Sequence, residues 1–427
     1  MITKYLLGIT FSSAVAFLPQ ATAATSPPVS LVCDAAKNYD KDNFILSVGN
    51  RLLAKPEFNY YWGISSEDRK YLSELQLLLK KYKINIIAVP IPYQAALYIN
   101  NTNNPAVGRY DPKQANISYQ NQIRNLNDHG IIAIDLSAVA KGMPIGTDFF
   151  ANRDHHWTGA GMEAVAIEVK SVVDKLNLSI DRTAQVNLSK TSKDYNGSVA
   201  DELQRLCGYK YPKQEQRDFY DLSIKSSESL LGGTNNDVVM VGDSFSISYF
   251  GFDKIVSNQL KTPVLNVSIN GGGCCASING YFSRLKPNDA KPKLLIWTAL
   301  MVLTNANQSR ELKPSIYQAY ENISPIKETS GKNTKMGNFQ FNSDLSKTSR
   351  YFIKIKVDGP KTENMSFDFN YKSENEKISL YRKDENQSPT YSTSYFYELK
   401  PGQDFLKDVS LDPKQTGTVT VSLFKYN

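Results

Sequence analysis

The chain has 427 residues, of which 41% are hydrophobic and 21% are charged, and its formal net charge is +7. This composition is typical of a folded protein with a substantial core, and it excludes an intrinsically disordered chain. At about 150 residues per domain, the length predicts two or three domains.

The N-terminus predicts export. Lys4 is followed by an apolar run over residues 5–18, and residues 21–23 have the small-x-small pattern of a cleavage site. We therefore expect a signal peptide over residues 1–23. An uncleaved anchor is the weaker alternative, because about 14 apolar residues fall short of the roughly 20 that span a bilayer. The modest positive charge favours an anionic partner such as a uronate polysaccharide, and an exported chain is not expected to bind nucleic acid.

Four cysteines can form disulfides in an oxidising compartment: Cys33, Cys207, Cys274 and Cys275. The adjacent pair can bond only through a strained small ring. The sequence therefore favours a Cys33–Cys207 disulfide and leaves the state of the adjacent pair open. Neither the cysteine spacing nor the 3 histidines of the chain match a zinc or iron–sulfur site, so we expect no metal and no cofactor.

Helical and strand-like segments alternate from about residue 70. The helical pattern "YLSELQLLLKKYK" precedes the β-branched run "INIIAVPIP", and "YQNQIRNLNDHG" precedes "IIAIDLSAV". Gly130 marks the end of the second helix, so His129 lies in its last turn, where an imidazole commonly faces the terminal carbonyls. We assign His129 a structural role. Thr158 predicts the N-cap of a third helix.

Three further apolar runs follow, "DVVMVGDS", "PVLNVSINGGG" and "KLLIWTAL". Short apolar strands separated by helices predict an α/β fold, with a parallel sheet that carries helices on both faces. Ligands of such sheets bind beyond the carboxyl ends of the strands.

The pattern changes after about residue 330. Segments such as "YFIKIKVDG" and "TVTVSLFKYN" alternate apolar and polar residues between turns, which predicts an all-β sandwich over residues 330–427. Residues 305–335 are the expected linker. The tyrosines of the sandwich could stack on sugar rings, although core packing is the stronger expectation for most of them: Tyr371, Tyr381, Tyr391, Tyr395 and Tyr397.

Ser244 is the predicted nucleophile. In "VVMVGDSFSISYF", residues 238–250, a buried strand ends before Gly242, and Ser244 falls at the expected start of the next helix. Free amides at a helix start can stabilise an oxyanion. The alternative is that Asp243 or Ser244 only caps this helix.

A serine nucleophile needs a base, and "RDHHWT" contains the candidates. Residues i and i+2 of an extended segment project to the same side, so Asp154 could orient His156, whereas His155 would point away. Trp157 could exclude water. The alternative is a polar turn before a helix, with Asp154 as its cap and both histidines in solvent.

The loop "SINGGGCCASING" offers the remaining oxyanion donors. Its free amides and carboxamide, with Asn270 and Gly272 as candidates, could act beside the backbone amide of Ser244. A merely flexible loop is the alternative. Cys274 is a weaker rival nucleophile, because an exported adjacent pair is expected to be oxidised or inert.

At these residues the chain resembles the AlgX/AlgJ-like polysaccharide O-acetyltransferases, which belong to the SGNH hydrolase-like superfamily. The motifs are "DHHW" at 154–157, "VGDSFS" at 241–246, and the segments "IIAVPIP", "FFANRDHHWTGAG" and "DELQRLCG". The resemblance spans roughly residues 33–310 and implies an SGNH hydrolase-like domain over 30–310. The region over 330–427 resembles the carbohydrate-binding module of the AlgX branch.

The resemblance implies that Ser244 accepts an acetyl group, that His156 acts as base and then acid, and that Asp154 orients His156. It also implies a periplasmic enzyme that acetylates an alginate-like exopolysaccharide, a membrane O-acyltransferase that supplies the acetyl group, and contact with a secretion complex. The sequence departs from the family's pattern at two points, which bear on the identity of the polymer and of the oxyanion donors. "LLIWTAL" lacks the acidic, proline-containing continuation of the family, and the adjacent cysteines are unfamiliar.

Two alternatives remain at this point. A polysaccharide O-acetylesterase needs the same catalytic groups, because transfer and hydrolysis differ only in whether a sugar hydroxyl or water attacks the acyl-serine. A non-catalytic scaffold would bind the polymer, neutral or anionic, with its β-sandwich alone.

Overall fold

The computed structural model of the protein describes residues 32–37, 44–58, 66–99, 110–208, 215–225, 237–300, 306–333, 337–358, 364–381, 394–411 and 417–426. The predicted signal peptide over residues 1–23 lies outside these ranges. None of the helices in the described ranges has the length and apolar character needed to cross a bilayer.

The first part of the chain combines strands and helices. Its strands are β1 (Ile45–Val48), β2 (Arg51–Ala54), β3 (Asn85–Pro90), β4 (Ile132–Ala133), β5 (Gln185–Tyr195), β6 (Glu215–Lys225), β7 (Val238–Gly242), β8 (Val264–Asn266) and β9 (Leu294–Ala299). Its helices are α1 (Ser66–Lys81), α2 (Gln94–Tyr98), α3 (Pro112–Asp128), α4 (Leu136–Gly142), α5 (Gly159–Leu176), α6 (Ser198–Cys207), α7 (Phe252–Leu260), α8 (Ala276–Phe282) and α9 (Ala306–Tyr320).

A five-stranded parallel sheet lies at the centre, in the order β4-β3-β9-β7-β8. Successive side chains of a strand point to opposite faces. In β7, Val239 and Val241 pack towards α1, α8 and α9, whereas Val238 and Met240 pack towards α5 and α7. The predicted parallel sheet with helices on both faces is therefore confirmed. Each fully buried side chain of this size contributes about 1.5–3 kcal/mol.

The predicted helix ends are also confirmed. The Thr158 hydroxyl accepts a hydrogen bond from the Gly161 amide at 3.0 Å and caps α5. His129 ends α3, and its Nδ1 lies 2.6 Å from the Asn125 carbonyl oxygen. His129 thus has the structural role that its position in the sequence predicts.

The C-terminal part consists of strands in the described residues. They are β10 (Lys327–Asn333), β11 (Asn338–Asp344), β12 (Tyr351–Asp358), β13 (Asn364–Tyr371), β14 (Asn375–Tyr381), β15 (Ser394–Glu398), β16 (Phe405–Leu411) and β17 (Gly417–Lys425). They form two four-stranded antiparallel sheets around one apolar core. Tyr371, Tyr395 and Tyr397 are buried in that core, as expected. Tyr391 and the side chain of Tyr381 lie outside the described part.

The prediction that residues 305–335 form a linker is wrong for most of that segment. Residues 306–320 form α9, which packs on the central sheet, and residues 327–333 form β10. The apolar side chains of α9, such as Ile316, are fully buried. The helix therefore belongs to the α/β layer and carries the chain directly into the β-sandwich.

Charged side chains join α9 to the sandwich. Lys313 Nζ lies 2.7 Å from Glu398 Oε2 and also pairs with Glu74 of α1. Arg310 pairs with Glu376 and donates to the Glu398 carbonyl oxygen at 2.8 Å. The two parts of the chain consequently share a buried ionic contact.

Two disulfides are present. The predicted Cys33–Cys207 bond is confirmed and ties the N-terminal segment to the end of α6. The adjacent Cys274 and Cys275, whose state the sequence left open, are bonded to each other and buried. None of the four cysteines is free, so the rival idea of Cys274 as nucleophile has no thiol to support it.

Candidate active site

Ser244 lies just beyond the carboxyl end of β7. Gly242 allows this end to approach β9 closely, because a Cβ there would lie 2.1 Å from the Thr298 carbonyl oxygen. Residues 244–246 form a single 3-10 turn, and α7 begins only at Phe252. The predicted helix start at Ser244 is therefore wrong, since one short turn replaces it. The Phe245 and Ser246 amides of this turn donate to Asp243, which leaves the Ser244 amide as the candidate donor, and the dipole of a long helix does not act here.

Asp243 holds this turn in place. Its Oδ1 accepts from the Phe245 amide at 3.1 Å, and its Oδ2 accepts from the Leu300 amide at 2.9 Å. Burial raises the pKa of Asp243 to about 6, although both hydrogen bonds lower it. The capping role expected as an alternative thus belongs to Asp243, and the Ser244 hydroxyl is available for another partner.

That partner is His156. Its Nε2 lies 2.9 Å from Ser244 Oγ, and its Nδ1 lies 2.7 Å from Asp154 Oδ1. The segment is a closed loop, because Phe150 and Trp157 form a bridge. The same-side arrangement of Asp154 and His156 therefore comes from this loop and not from an extended segment. Asp154 and His156 are both buried.

The carboxylate of Asp154 accepts several further hydrogen bonds. Oδ1 accepts from Ser198 Oγ at 2.7 Å and from the His156 amide at 3.1 Å, while Oδ2 accepts from Arg217 Nη1 at 2.9 Å. Burial alone would raise the pKa of Asp154, but His156 and the Arg217 guanidinium hold it well below its usual range. Asp154 is therefore ionised at neutral pH and fixes the orientation of His156.

Sequence reasoning missed Ser198 and Arg217. They lie 44 and 63 residues from Asp154 along the chain, at the start of α6 and in β6. Arg217 also donates to the Trp157 carbonyl oxygen at 2.9 Å. No local motif marks either residue, and only a search for a buried cation opposite Asp154 would have found Arg217.

His155 does not point away from the site, as the sequence argument expected. Its ring centroid lies 3.9 Å from that of His156, and its Nδ1 lies 2.6 Å from Ser198 Oγ. The tight loop turns both rings to the same side. Desolvation and the neighbouring His156 lower the pKa of His155 to about 4. His155 is therefore neutral near pH 7.

Two phenylalanines, and not Trp157, contact the His156 ring. The Phe245 and Phe250 centroids lie 4.9 and 4.8 Å from it. Trp157 is fully buried and packs on Phe252 at 4.7 Å. The expected water-excluding role thus falls to Phe245 and Phe250, because Trp157 supports the loop from its core side.

Three buried polar side chains from the N-terminal part of the chain, those of Arg51, Glu57 and Gln94, support the loop that carries Asp154. Gln94 Nε2 donates to the Asp154 carbonyl oxygen at 2.5 Å. Arg51 donates to Gln94 Oε1 at 3.0 Å and to the Ala151 carbonyl oxygen at 2.9 Å. Glu57 Oε2 accepts a hydrogen bond from the backbone amide of Gln94 at 2.8 Å, and burial raises the pKa of Glu57 to about 7. These contacts hold the loop that carries Asp154 and His156.

The proposed oxyanion donors differ in their surroundings. The Gly272 amide donates to the Ile269 carbonyl oxygen at 2.9 Å, so it is already engaged within its own turn. Asn270 is exposed and follows Ile269, whose amide donates to the Gly242 carbonyl oxygen at 3.0 Å. Among the expected donors, Asn270 and the Ser244 amide fit the role better than Gly272.

Asp154, His155 and His156 have ligand atoms within 4.8 Å of one another. A cation at this position would face the Arg217 guanidinium, which already occupies Asp154 Oδ2. His156 Nδ1 and His155 Nδ1 have hydrogen-bonding partners as well. The arrangement suits proton transfer better than metal binding.

The sequence matches a protein-family model described as "SGNH hydrolase-like domain, acetyltransferase AlgX" over residues 62–299. It is similar to the alginate biosynthesis protein AlgX of Pseudomonas putida, with 25% identity over 237 residues, which cover 53% of this chain and 50% of that protein. It is also similar to the probable alginate O-acetylase AlgJ of Azotobacter vinelandii, with 21% identity over 305 residues, or 61% of this chain and 76% of that protein.

The fold is similar to the solved structure of Pseudomonas aeruginosa AlgX. The TM-score is 0.74 at 19% identity, and the superposition covers 93% of this chain and 100% of that chain. This likeness concerns the fold. In sequence, the chain spans about half the length of the AlgX relative from Pseudomonas putida.

Proposed function

The chain belongs to the AlgX family of SGNH hydrolase-like acetyltransferase domains, and from that premise we propose that it transfers acetyl groups to hydroxyls of an exopolysaccharide. Ser244 is the nucleophile, His156 the general base and acid, and Asp154 the residue that orients His156. The observation that carries this proposal is the unbroken chain of hydrogen bonds from Ser244 through both ring nitrogens of His156 to Asp154.

In the first half-reaction, His156 Nε2 takes the Ser244 proton while Oγ attacks the carbonyl carbon of an acetyl donor. The backbone amide of Ser244 and Asn270 stabilise the oxyanion. The leaving group then takes the proton from His156, and the acetyl group remains on Ser244 as an ester. Ionised Asp154 stabilises the imidazolium that forms between these steps.

In the second half-reaction, His156 takes a proton from a sugar hydroxyl, and that oxygen attacks the acetyl-serine. The bond to Ser244 Oγ breaks, and Oγ recovers the proton from His156. Attack by water would release acetate instead. The relative access of sugar and water therefore decides between transfer and hydrolysis.

An alginate-like uronate polysaccharide is the proposed acceptor. Relatives of the chain are named as alginate biosynthesis proteins and as a probable alginate O-acetylase. The net charge of +7, less the one charge of Lys4 in residues 1–23, stays positive and complements an anionic polymer. We place the reaction in the periplasm after removal of residues 1–23. A membrane O-acyltransferase would supply the acetyl group, and a secretion complex would receive the product. No cofactor enters the steps above.

The sandwich over residues 330–427 is the proposed carbohydrate-binding module. Its buried ionic contact with α9 supports this role, because it holds the module beside the catalytic domain. Isolated residues 330–427 would lack α9, so polymer binding should be measured on the whole protein with and without substitutions on the sandwich surface.

The proposal is tested with an activated acetyl ester and a purified mannuronate oligosaccharide. Intact-mass analysis should detect one acetyl group on the protein, peptide mapping should place it on Ser244, and the oligosaccharide should gain acetyl groups. Ser244→Ala should abolish both products. Ser248→Ala is the matched control, because Ser248 is exposed and donates to Asp253.

Acetate release is measured in the same reactions. Acetate without acetylated oligosaccharide at saturating acceptor would favour an esterase. Undiminished oligosaccharide acetylation by Ser244→Ala would overturn the assignment of the nucleophile and favour a scaffold.

A further inference from the structure

Tyr249 is an exposed aromatic side chain close to the candidate active site. It follows Ser244 by five residues, and 61% of its surface is accessible to solvent. A single exposed ring is common on protein surfaces, so its role depends on what surrounds it.

The Tyr249 ring is connected to His156 through another aromatic side chain. Its centroid lies 5.4 Å from that of Phe250, and the Phe250 centroid lies 4.8 Å from that of His156. Tyr249 also makes an edge-to-face contact with Phe219 at 5.2 Å. A chain of ring contacts therefore leads from the imidazole through the buried Phe250 to Tyr249, and Tyr249 and the partly exposed Phe219 form an aromatic surface at its outer end.

The two-stranded antiparallel sheet of β5 and β6 completes this surface. Lys193 pairs with Arg217 and Thr191 with Phe219, so Lys193, Arg217 and Phe219 share one face of this sheet. Arg217 anchors that face to Asp154 at 2.9 Å. Lys193 Nζ lies 5.7 Å from the Phe219 ring centroid.

Lys193 differs from Lys190, another lysine of β5. Lys190 lies within 4 Å of carboxylates of Glu163 and Asp218. Lys193 has no carboxylate partner among the described residues, and its side chain is exposed. An aromatic surface with an uncompensated ammonium group matches a sugar ring that carries a carboxylate, since the apolar face of a pyranose packs on an aromatic ring and the carboxylate pairs with the cation.

We infer that Tyr249, Phe219 and Lys193 form an acceptor subsite for a uronate ring, next to the sugar whose hydroxyl is acetylated. This inference rests on the proposed function and adds the chemistry by which the acceptor is recognised. The two rings provide stacking, and Lys193 discriminates anionic from neutral sugars.

Steady-state kinetics with an activated acetyl ester and varied mannuronate oligosaccharide test the subsite. Tyr249→Ala should raise the acceptor KM by about two- to tenfold, as expected for one lost aromatic contact, with a smaller fall in kcat. Tyr249→Phe keeps the ring and should restore most of the acceptor affinity. Leu77→Ala is the matched control, because Leu77 is 66% exposed on α1 and is not in the site.

Lys193→Gln should raise the acceptor KM for mannuronate oligosaccharide several-fold. The acceptor KM for a neutral cello-oligosaccharide should change less, because that sugar carries no carboxylate.

An unchanged acceptor KM in both Tyr249→Ala and Lys193→Gln, with acetyl-serine still formed, would overturn the subsite and leave the proposed function standing. Absence of acetyl-serine in the wild type would overturn the proposed function. In that case calorimetric binding of mannuronate oligosaccharide to wild type and Tyr249→Ala decides the subsite: equal affinity, or no binding by either protein, would overturn it.

Discussion

Arg217 and Asp154 form a buried ion pair directly behind the candidate catalytic histidine. The two groups are 2.9 Å apart, and both side chains are almost fully enclosed. Because the second Asp154 oxygen contacts His156, this ion pair couples the stability of the loop to the orientation of the imidazole.

Removal of Arg217 should therefore destabilise the protein and reduce turnover. Arg217→Met leaves the Asp154 carboxylate buried without its cation, which costs about 3–5 kcal/mol. Denaturant unfolding measures this loss. The double variant Arg217→Met/Asp154→Asn should lose less than the sum of the single variants, and strict additivity would contradict the coupling.

The same pair predicts a pH dependence. The folded-state pKa of Asp154 is depressed, so its contribution to stability is present above the unfolded pKa and is lost as pH falls through the folded pKa. In Arg217→Met the Asp154 pKa rises towards its ordinary value. The window in which the unfolded chain binds more protons than the folded one then narrows, so Arg217→Met, less stable overall, should lose less further stability in acid than the wild type, each compared with its own value at pH 7, as measured by unfolding between pH 2 and 7.

Asp154→Asn should lower kcat by about 10⁴-fold, because a carboxamide can no longer stabilise the imidazolium and can favour the wrong tautomer. Ser198→Ala removes the hydrogen bonds of this hydroxyl to Asp154 and His155 but leaves the carboxylate and its contact with His156, so its loss should be about tenfold or less. Both are measured as acetyl-enzyme formation in single-turnover experiments. A Ser198→Ala loss as large as that of Asp154→Asn would contradict the assignment of Asp154 as the orienting group.

His155 should make the protein less stable in mild acid. Its folded-state pKa is lowered to about 4, so between its ordinary pKa of about 6.5 and pH 4 the unfolded chain binds more protons than the folded one. Stability should therefore fall as pH decreases through this window. His155→Gln does not titrate and should show a smaller fall than the wild type relative to pH 8. An identical fall in both proteins would contradict this origin.

The ionic contact between α9 and the sandwich gives a stability prediction. Glu398 is fully buried between Lys313 and Arg350. Glu398→Gln leaves two cations with less compensation and should cost about 3 kcal/mol. Glu398→Leu/Lys313→Met should recover part of that loss. Thermal unfolding should show the sandwich and the α/β domain separating in Glu398→Gln, and an unchanged cooperative transition would contradict the coupling.

Sequence reasoning identified Asp154, His156 and Ser244 as one candidate group, because each of them lies in a compact motif next to a recognisable strand or helix end. Apolar runs of β-branched residues predicted the parallel strands, and Thr158 predicted the start of α5. These signals depend on neighbours within a few residues, which a sequence displays directly. The acetyl-transfer role of the group remains a proposal.

The wrong expectations about His155 and Ser244 concern backbone contacts that the spacing of neighbouring residues does not display. The orientation of His155 depends on the closed loop between Phe150 and Trp157. The 3-10 turn at Ser244 depends on the hydrogen bond of Asp243 across to Leu300. Local spacing does not reveal either contact.

The amino-acid sequence by itself determined the α/β order, the β-rich C-terminal part and the positions of the reactive side chains, because hydrophobic periodicity and short motifs act over a few residues. Only the tertiary structure decided that Arg217 and Ser198 share the Asp154 carboxylate, and that Tyr249 meets Phe219 beside His156. Those contacts arise where the antiparallel β5–β6 pair and the start of α6 pack beside α5, α7 and the loop that carries Asp154, and the free energy of that packing depends on surfaces that lie far apart in the chain.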